Sequence, residues 1–157
     1  LDGQQDVAQT VIFGAGRPAL LFDSQARGLP AKPLGVVVLA WDGSRCAARA
    51  MADAMPLLTQ AAEVRVLTVT GDKPGAVSNI GLEPVRHLKT HGVAALADEV
   101  EADHAPTGQV LTTYLKAHKA DLLVMGAFVH SRLREMVMGG ATAEMLRASP
   151  VPVLMSH

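Results

Sequence analysis

The sequence predicts an α/β domain, a parallel sheet with crossover helices on both faces. From Leu34 onward, short apolar or β-branched runs alternate with segments of helical period, the order of successive βα units. Two of these runs, LGVVVLAW at Leu34 to Trp41 and DLLVMGA at Asp121 to Ala127, are almost continuously apolar, as strands buried on both faces must be. The closing run, Pro150 to Met155, carries prolines, which belong on an edge strand where a missing N–H breaks no central ladder.

Each element has its own justification. After the first strand, Asp42-Gly43-Ser44 turns the chain, and Ser44 is placed to cap a helix running to about Leu58. Its residues Ala47, Ala50, Met51, Ala54, Leu57 and Leu58 recur at helical spacing and form one stripe against the sheet. Glu63 to Thr70 (EVRVLTVT) reads as the second strand, with a turn-rich Gly71 to Gly75 behind it. A helix over Pro84 to His91, a third strand over Val93 to Glu101 and a helix over Thr107 to His118 come next. Asp121 to Ala127 is the fourth strand, Arg132 to Ala148 a glycine-interrupted helical region, and Pro150 to Met155 the fifth strand.

Residues 1–33 stand outside this cycle. Asp6 to Phe13 is helix-like, Gly14 to Pro18 a turn, Ala19 to Phe22 a strand, and Gly28 to Pro33 a linker. The order helix, proline, short strand repeats that of Glu144 to Met155. Residues 1–33 are therefore expected to be the remnant of a preceding repeat, and residues 34–157 the domain proper. The chain opens on Leu1 without a signal-peptide core, so a processed or cut boundary is expected.

Composition narrows the function. The 157 residues, 49% hydrophobic, suit one main domain. Fourteen Lys and Arg against 15 Asp and Glu give a net charge of −1, and only 3% of residues are aromatic. Neither an electrostatic footprint nor a stacking platform for nucleic acid is present. The apolar runs fall far short of the roughly 20 residues that span a bilayer. The single Cys46 permits no internal disulfide and suits an apolar helix face. A soluble, cytoplasmic protein with no membrane or nucleic-acid partner is expected.

In an open parallel sheet the ligand crevice lies beyond the C-terminal strand ends. Two ends are chemically loaded: Ala40-Trp41-Asp42, and Met125-Gly126 running through Val129, His130 and Arg132 to Gly139-Gly140-Ala141-Thr142. Glycines permit close backbone approach, and a helix starting near Gly140 offers unpaired N–H groups to an anion. Arg132 and Arg134 add positive charge if turned inward. Asp42 can accept a hydrogen bond from adenine or ribose. Trp41 can stack on a base or pack under the first helix.

These residues carry a family likeness. VVVLAWDGSRCAARAM, RVLTV and the block DLLVMGAFVHSRLREMVMGGATAEMLRASPVPVLMSH together resemble the universal stress protein family across nearly all of residues 34–157. The resemblance implies a three-layer α/β/α fold of the adenine nucleotide alpha hydrolase-like kind. Its sheet would have five parallel strands in the order 3-2-1-4-5, dimerising along the last. The ATP-binding branch carries Gly, two residues, Gly, nine residues, Gly and then Ser or Thr, and the matching positions here are Gly126, Val129, Gly139 and Gly140. Asp42 and Val69 match the family's adenine-side positions. The implied ligand is ATP or another adenine nucleotide, with Mg.

Two of the four loop positions depart from that pattern. Val129, β-branched, resists positive φ and adds bulk where backbone should meet phosphate. Gly140 keeps the N–H but lacks the hydroxyl, which Thr142 could replace only by reaching back one turn. The expectation is a stress-response regulatory module that binds ATP weakly or not at all. It acts through dimer or tandem-domain contacts, pairing Val151, Val153, Leu154 and Met155 with a copy of that strand or with Ala19, Leu20, Leu21 and Phe22. A nucleotide-free scaffold and a slow ATP hydrolase are the alternatives.

Other features have plainer readings. His87 and His91 lie one turn apart, as a metal pair would, but no third ligand is evident and a solvated helix face accounts for them. His104, His118 and His157 have no visible partner. Ser44 lacks a Gly-x-Ser-x-Gly setting, and neither a Walker loop nor a complete dinucleotide fingerprint occurs. Met136, Met138 and Met145 read as core or interface filler. No catalytic residue or metal ligand is assigned.

Overall fold

A computed structural model of the chain describes residues 2–23, 33–71, 79–127, 129–130, 137–138 and 140–157. The chain begins with helix α1 (Asp2–Gly14) and strand β1 (Ala19–Leu21). Then come β2 (Val36–Ala40) with α2 (Arg45–Leu58), β3 (Glu63–Thr70) with α3 (Leu82–Thr90), and β4 (Ala95–Glu101) with α4 (Thr107–Ala117). Strand β5 (Leu122–Gly126) leads into a two-stranded hairpin, β6 (Val129–His130) and β7 (Val137–Met138), and then to α5 (Gly140–Ala148) and β8 (Val153–Ser156).

The main sheet has six strands in the order β1-β8-β5-β2-β3-β4. This corrects the five-stranded expectation: β1 joins the sheet antiparallel to β8, pairing Ala19 with Met155, Leu20 with Leu154 and Leu21 with Val153. The other neighbours run parallel. Strand β8, expected as the edge of the five-stranded sheet and as an antiparallel partner for Ala19 to Phe22, is hydrogen-bonded on both sides. Its prolines are tolerated because Pro150 and Pro152 precede the ladder, which starts at Val153.

Alternate residues of each strand feed two separate cores. On one face Val37, Leu39, Val64, Val66 and Val124 meet Ala50, Ala54 and Leu58 of α2 and Val85 and Leu88 of α3. On the other, Val38, Leu67, Leu123 and Met125 meet Leu111, Tyr114 and Leu115 of α4 and Met145 of α5. Ile12 and Ala19 bring α1 and β1 into this second core. Burying a Leu or Val side chain is worth roughly 1.5–3 kcal/mol, so these two apolar layers dominate the stability.

Two polar contacts fix strand placement. Asp121 Oδ2 accepts the backbone N–H groups of Gly35 (2.7 Å) and Val36 (3.2 Å), tying the start of β2 to the chain entering β5. Under α4, Arg65 bridges Glu63 (2.5 Å) and Asp98 (2.8 Å), while the Tyr114 hydroxyl donates to the same Asp98 carboxylate.

The region between β5 and β8 departs from expectation. Within the helical region predicted over Arg132 to Ala148, Gly140–Ala148 is helix and Val137–Met138 is a strand paired with β6, while residues 131–136 and 139 lie outside the described residues. Val129 and Val137, both β-branched, favour extended backbone over helix.

Candidate functional site

The helices leave β2 and β5 on opposite faces of the sheet. From β2 the chain crosses through α2 to β3 on one side, and from β5 through α5 to β8 on the other. Connections therefore diverge between these adjacent strands, the position where open α/β sheets bind ligands.

Several predicted residues converge at this rim. Asp42 leaves the end of β2 with an exposed side chain, and its Oδ1 accepts the N–H of Ser44 (3.0 Å). Gly43, at φ +74°, makes the tight bend that an L side chain resists. Ser44 caps α2 as expected, accepting the N–H of Ala47 at 3.1 Å. Ala40 and Val69 lie at the C-terminal ends of β2 and β3 on the α4/α5 face, and Val69 pairs across to Val100. Ala141 of α5, like Ala40 and Val69, is partly exposed and packs against the second core, and the three mark a ledge at its margin.

Other predicted residues do something different. Trp41 is partly buried and packs against the α2/α3 core, whereas Ala40 and Val69 pack against the other. Met125 is buried in the second core. Gly126 lies against helix, where a β-carbon would stand 2.6 Å from the Cys46 carbonyl carbon and 2.7 Å from the Ala47 nitrogen. Its missing side chain admits the first turn of α2. Thr142 is 2% exposed, buried in the first half of α5. Gly140 is exposed and begins α5, with nothing within 4 Å of where a β-carbon would be.

The backbones of Val129 and His130 pair with those of Met138 and Val137. One such antiparallel pair exchanges both N–H···O bonds, so part of the main chain expected to face phosphate is engaged in the hairpin. Arg132, Arg134, Met136 and Gly139 lie outside the described residues.

One constellation went unseen in the sequence. His157 Nδ1 lies 3.1 Å from the Ala127 carbonyl oxygen and 3.9 Å from Cys46 Sγ, and the ring stands edge-on to Phe13 with centroids 4.9 Å apart. A carbonyl only accepts, so the contact with Ala127 places a proton on Nδ1. The C-terminal residue thus ties α1, α2 and the end of β5 together behind Gly126. Its partners are 30, 111 and 144 residues away in sequence (157 − 127, 157 − 46 and 157 − 13), so no local pattern signals the contact. Among the described residues, no group of three or more His, Cys, Asp or Glu side chains could hold a metal ion. No helix there is long and apolar enough to cross a membrane.

The sheet with helices on both faces defines a three-layer α/β/α domain with a mostly parallel sheet. The family model described as the universal stress protein family matches residues 34–157, and the chain belongs to that family. A curated universal stress protein of Synechocystis is 34% identical over 93 residues, 58% of this chain and 31% of that protein. The match thus spans about a third of the curated relative's length. Among solved structures, a universal stress protein from Archaeoglobus fulgidus superposes with a TM-score of 0.75 at 18% identity, over 96% of this chain and 54% of that one. A universal stress protein solved in complex with cAMP superposes with a TM-score of 0.65 at 25% identity, over 80% of this chain and 98% of that one.

Proposed function

We propose that this universal stress protein domain is a regulatory module that takes an adenine nucleotide on the ledge between β2 and β5. What supports the reading is Asp42 at the end of β2, where the connections diverge, and the partly exposed Ala40, Val69 and Ala141 packed against the second core. The cAMP complex of a similar protein supports an adenine ligand. The start of α5 at Gly140 offers unpaired N–H groups to a phosphate. The β6–β7 hairpin, in turn, withdraws main chain from a longer phosphate chain. ATP is therefore bound weakly, with little gain over AMP, and any Mg arrives with the phosphates.

Residues 1–33 are read as the tail of a preceding repeat, whose strand β1 occupies the β8 edge as in a tandem pseudo-dimer. The Archaeoglobus match, which takes in nearly all of this chain but only half of its own, supports that arrangement. Signalling would then pass through contacts along β8 and β1, in a cytoplasmic setting. The hairpin also favours a second reading, a nucleotide-free interaction scaffold.

Calorimetry with AMP, ADP and ATP tests the proposal. Saturable binding that is weakened by Asp42→Ala is expected. Absence of heat with all three would leave the scaffold.

A further inference from the structure

The exposed face of α3 carries two imidazoles, His87 and His91, that make no hydrogen bond or ion pair among the described residues and whose ring centroids lie 4.8 Å apart at an interplanar angle of 58°. A metal held by two imidazoles imposes a distance. With a metal–nitrogen bond of about 2.1 Å and about 1.1 Å more to the ring centre, each centroid stands roughly 3.2 Å from the ion. Ligand angles from octahedral to tetrahedral then separate the centroids by about 4.5 to 5.2 Å. The observed pair falls inside that window before any ion is added.

The surroundings favour a cation. His91 is the C-cap of α3, so both rings lie where the helix dipole is negative. Glu83 stands one turn before His87 on the same face, but its carboxylate pairs with Arg86 at 2.5 Å, so the two charges offset and Glu83 is not a ligand. Lys89, two residues from each histidine, projects from another side of the helix.

We infer that His87 and His91 form a two-imidazole site for a borderline divalent transition-metal ion, with water completing the shell. Imidazole selects Ni²⁺, Cu²⁺ and Zn²⁺ over Mg²⁺ and Ca²⁺. The site is at the opposite end of α3 from the Ile80–Gly43 contact beside Asp42, and is independent of any nucleotide.

Calorimetric titration of the untagged full chain with Ni²⁺ at pH 7.5 tests this, with circular dichroism confirming that each variant is folded. One equivalent is expected to bind, and His87→Asn and His91→Asn are each expected to weaken it at least tenfold, because either change abolishes the chelate. His104→Asn and millimolar Mg²⁺ should leave it unchanged. Ni²⁺ should also raise the thermal midpoint of the parent and of neither single variant, since only a folded α3 brings the rings together. A loss of less than tenfold in either variant, or an equal loss in His104→Asn, overturns the assignment.

Discussion

Gly126 and Cys46 meet backbone to backbone, so close that a β-carbon on Gly126 would stand 2.6 Å from the Cys46 carbonyl carbon. The contact seats the first turn of α2 over the end of β5. Main chain on both sides leaves nothing flexible to give way. Gly126→Ala should therefore cost about 1–3 kcal/mol in urea unfolding, the usual range for overpacking. Gly140→Ala meets open space and should be neutral or stabilise by up to about 1 kcal/mol. Equal effects of the two changes would refute the packing role.

Asp121 is the second anchor of the switch point. One carboxylate oxygen accepts two backbone donors of the incoming β2 strand, and hydrogen bonds to a charged group are worth about 1.5–3 kcal/mol. Asp121→Ala should lose about that much stability by denaturant midpoint, and Asp121→Asn, which keeps one acceptor, clearly less. An Asn variant as unstable as the Ala variant would show that charge or packing, not acceptance, is what matters.

Tyr114 makes the alkaline limb of stability predictable. Burial, reinforced by its bond to Asp98, pushes the phenol up from 10 to about 12. A folded-state value above the unfolded one means the contribution is complete below pH 10 and lost as pH climbs to about 12. Unfolding free energy should fall across that window, by on the order of 2 kcal/mol. Tyr114→Phe should flatten the fall, and a variant with the parental alkaline slope would assign it elsewhere.

The ligand ledge predicts a pattern of affinities. Asp42 is exposed and, among the described residues, accepts only the nearby Ser44 N–H, so Asp42→Ala should barely change stability. It should weaken AMP and ATP alike about tenfold, or about 1.4 kcal/mol. Val129→Gly removes the β-branched side chain that favours extended β6 and should tighten ATP without tightening AMP. If calorimetry finds ATP already ten times tighter than AMP in the parent, the hairpin does not limit phosphate contacts.

Most of the layered architecture was legible because it is written in short-range pattern. Two-face burial made β2 and β5 nearly continuous apolar runs, and the stripe on α2 appears as Ala47, Ala50, Ala54 and Leu58, all buried. The rim was legible only in part. Asp42 and Val69 stand at strand ends that the alternation places. The role of Gly126 depends instead on a helix 80 residues earlier (126 − 46), and a glycine kept for packing has the same letter as one kept for phosphate. Helical spacing likewise offers Thr142 as a hydroxyl near the helix start but does not tell that the residue is buried. The β6–β7 hairpin was hidden by helix-favouring Leu133, Arg134, Glu135 and Met136 between β-branched Val129 and Val137.

The pairing of β1 with β8 carries the last prediction. An uncovered β8 would present a row of unpaired N–H and C=O groups beside apolar Val153, Leu154 and Met155, the template on which a second chain adds. In the full chain β1 occupies that edge, while Ile12 and Ala19 seal the adjoining core. A chain beginning at residue 33 keeps the whole family-matched region, and a similar universal stress protein of that extent has been solved, so the shortened chain should fold. It should then associate through β8, giving a light-scattering mass that doubles with concentration in a range where the full chain stays constant. Adding a peptide of residues 2–23 should reverse the association, because it restores the strand that competes for the same edge. A shortened chain that remains monomeric at every concentration would mean that β1 serves the core alone, and that the β8 edge does not attract a partner.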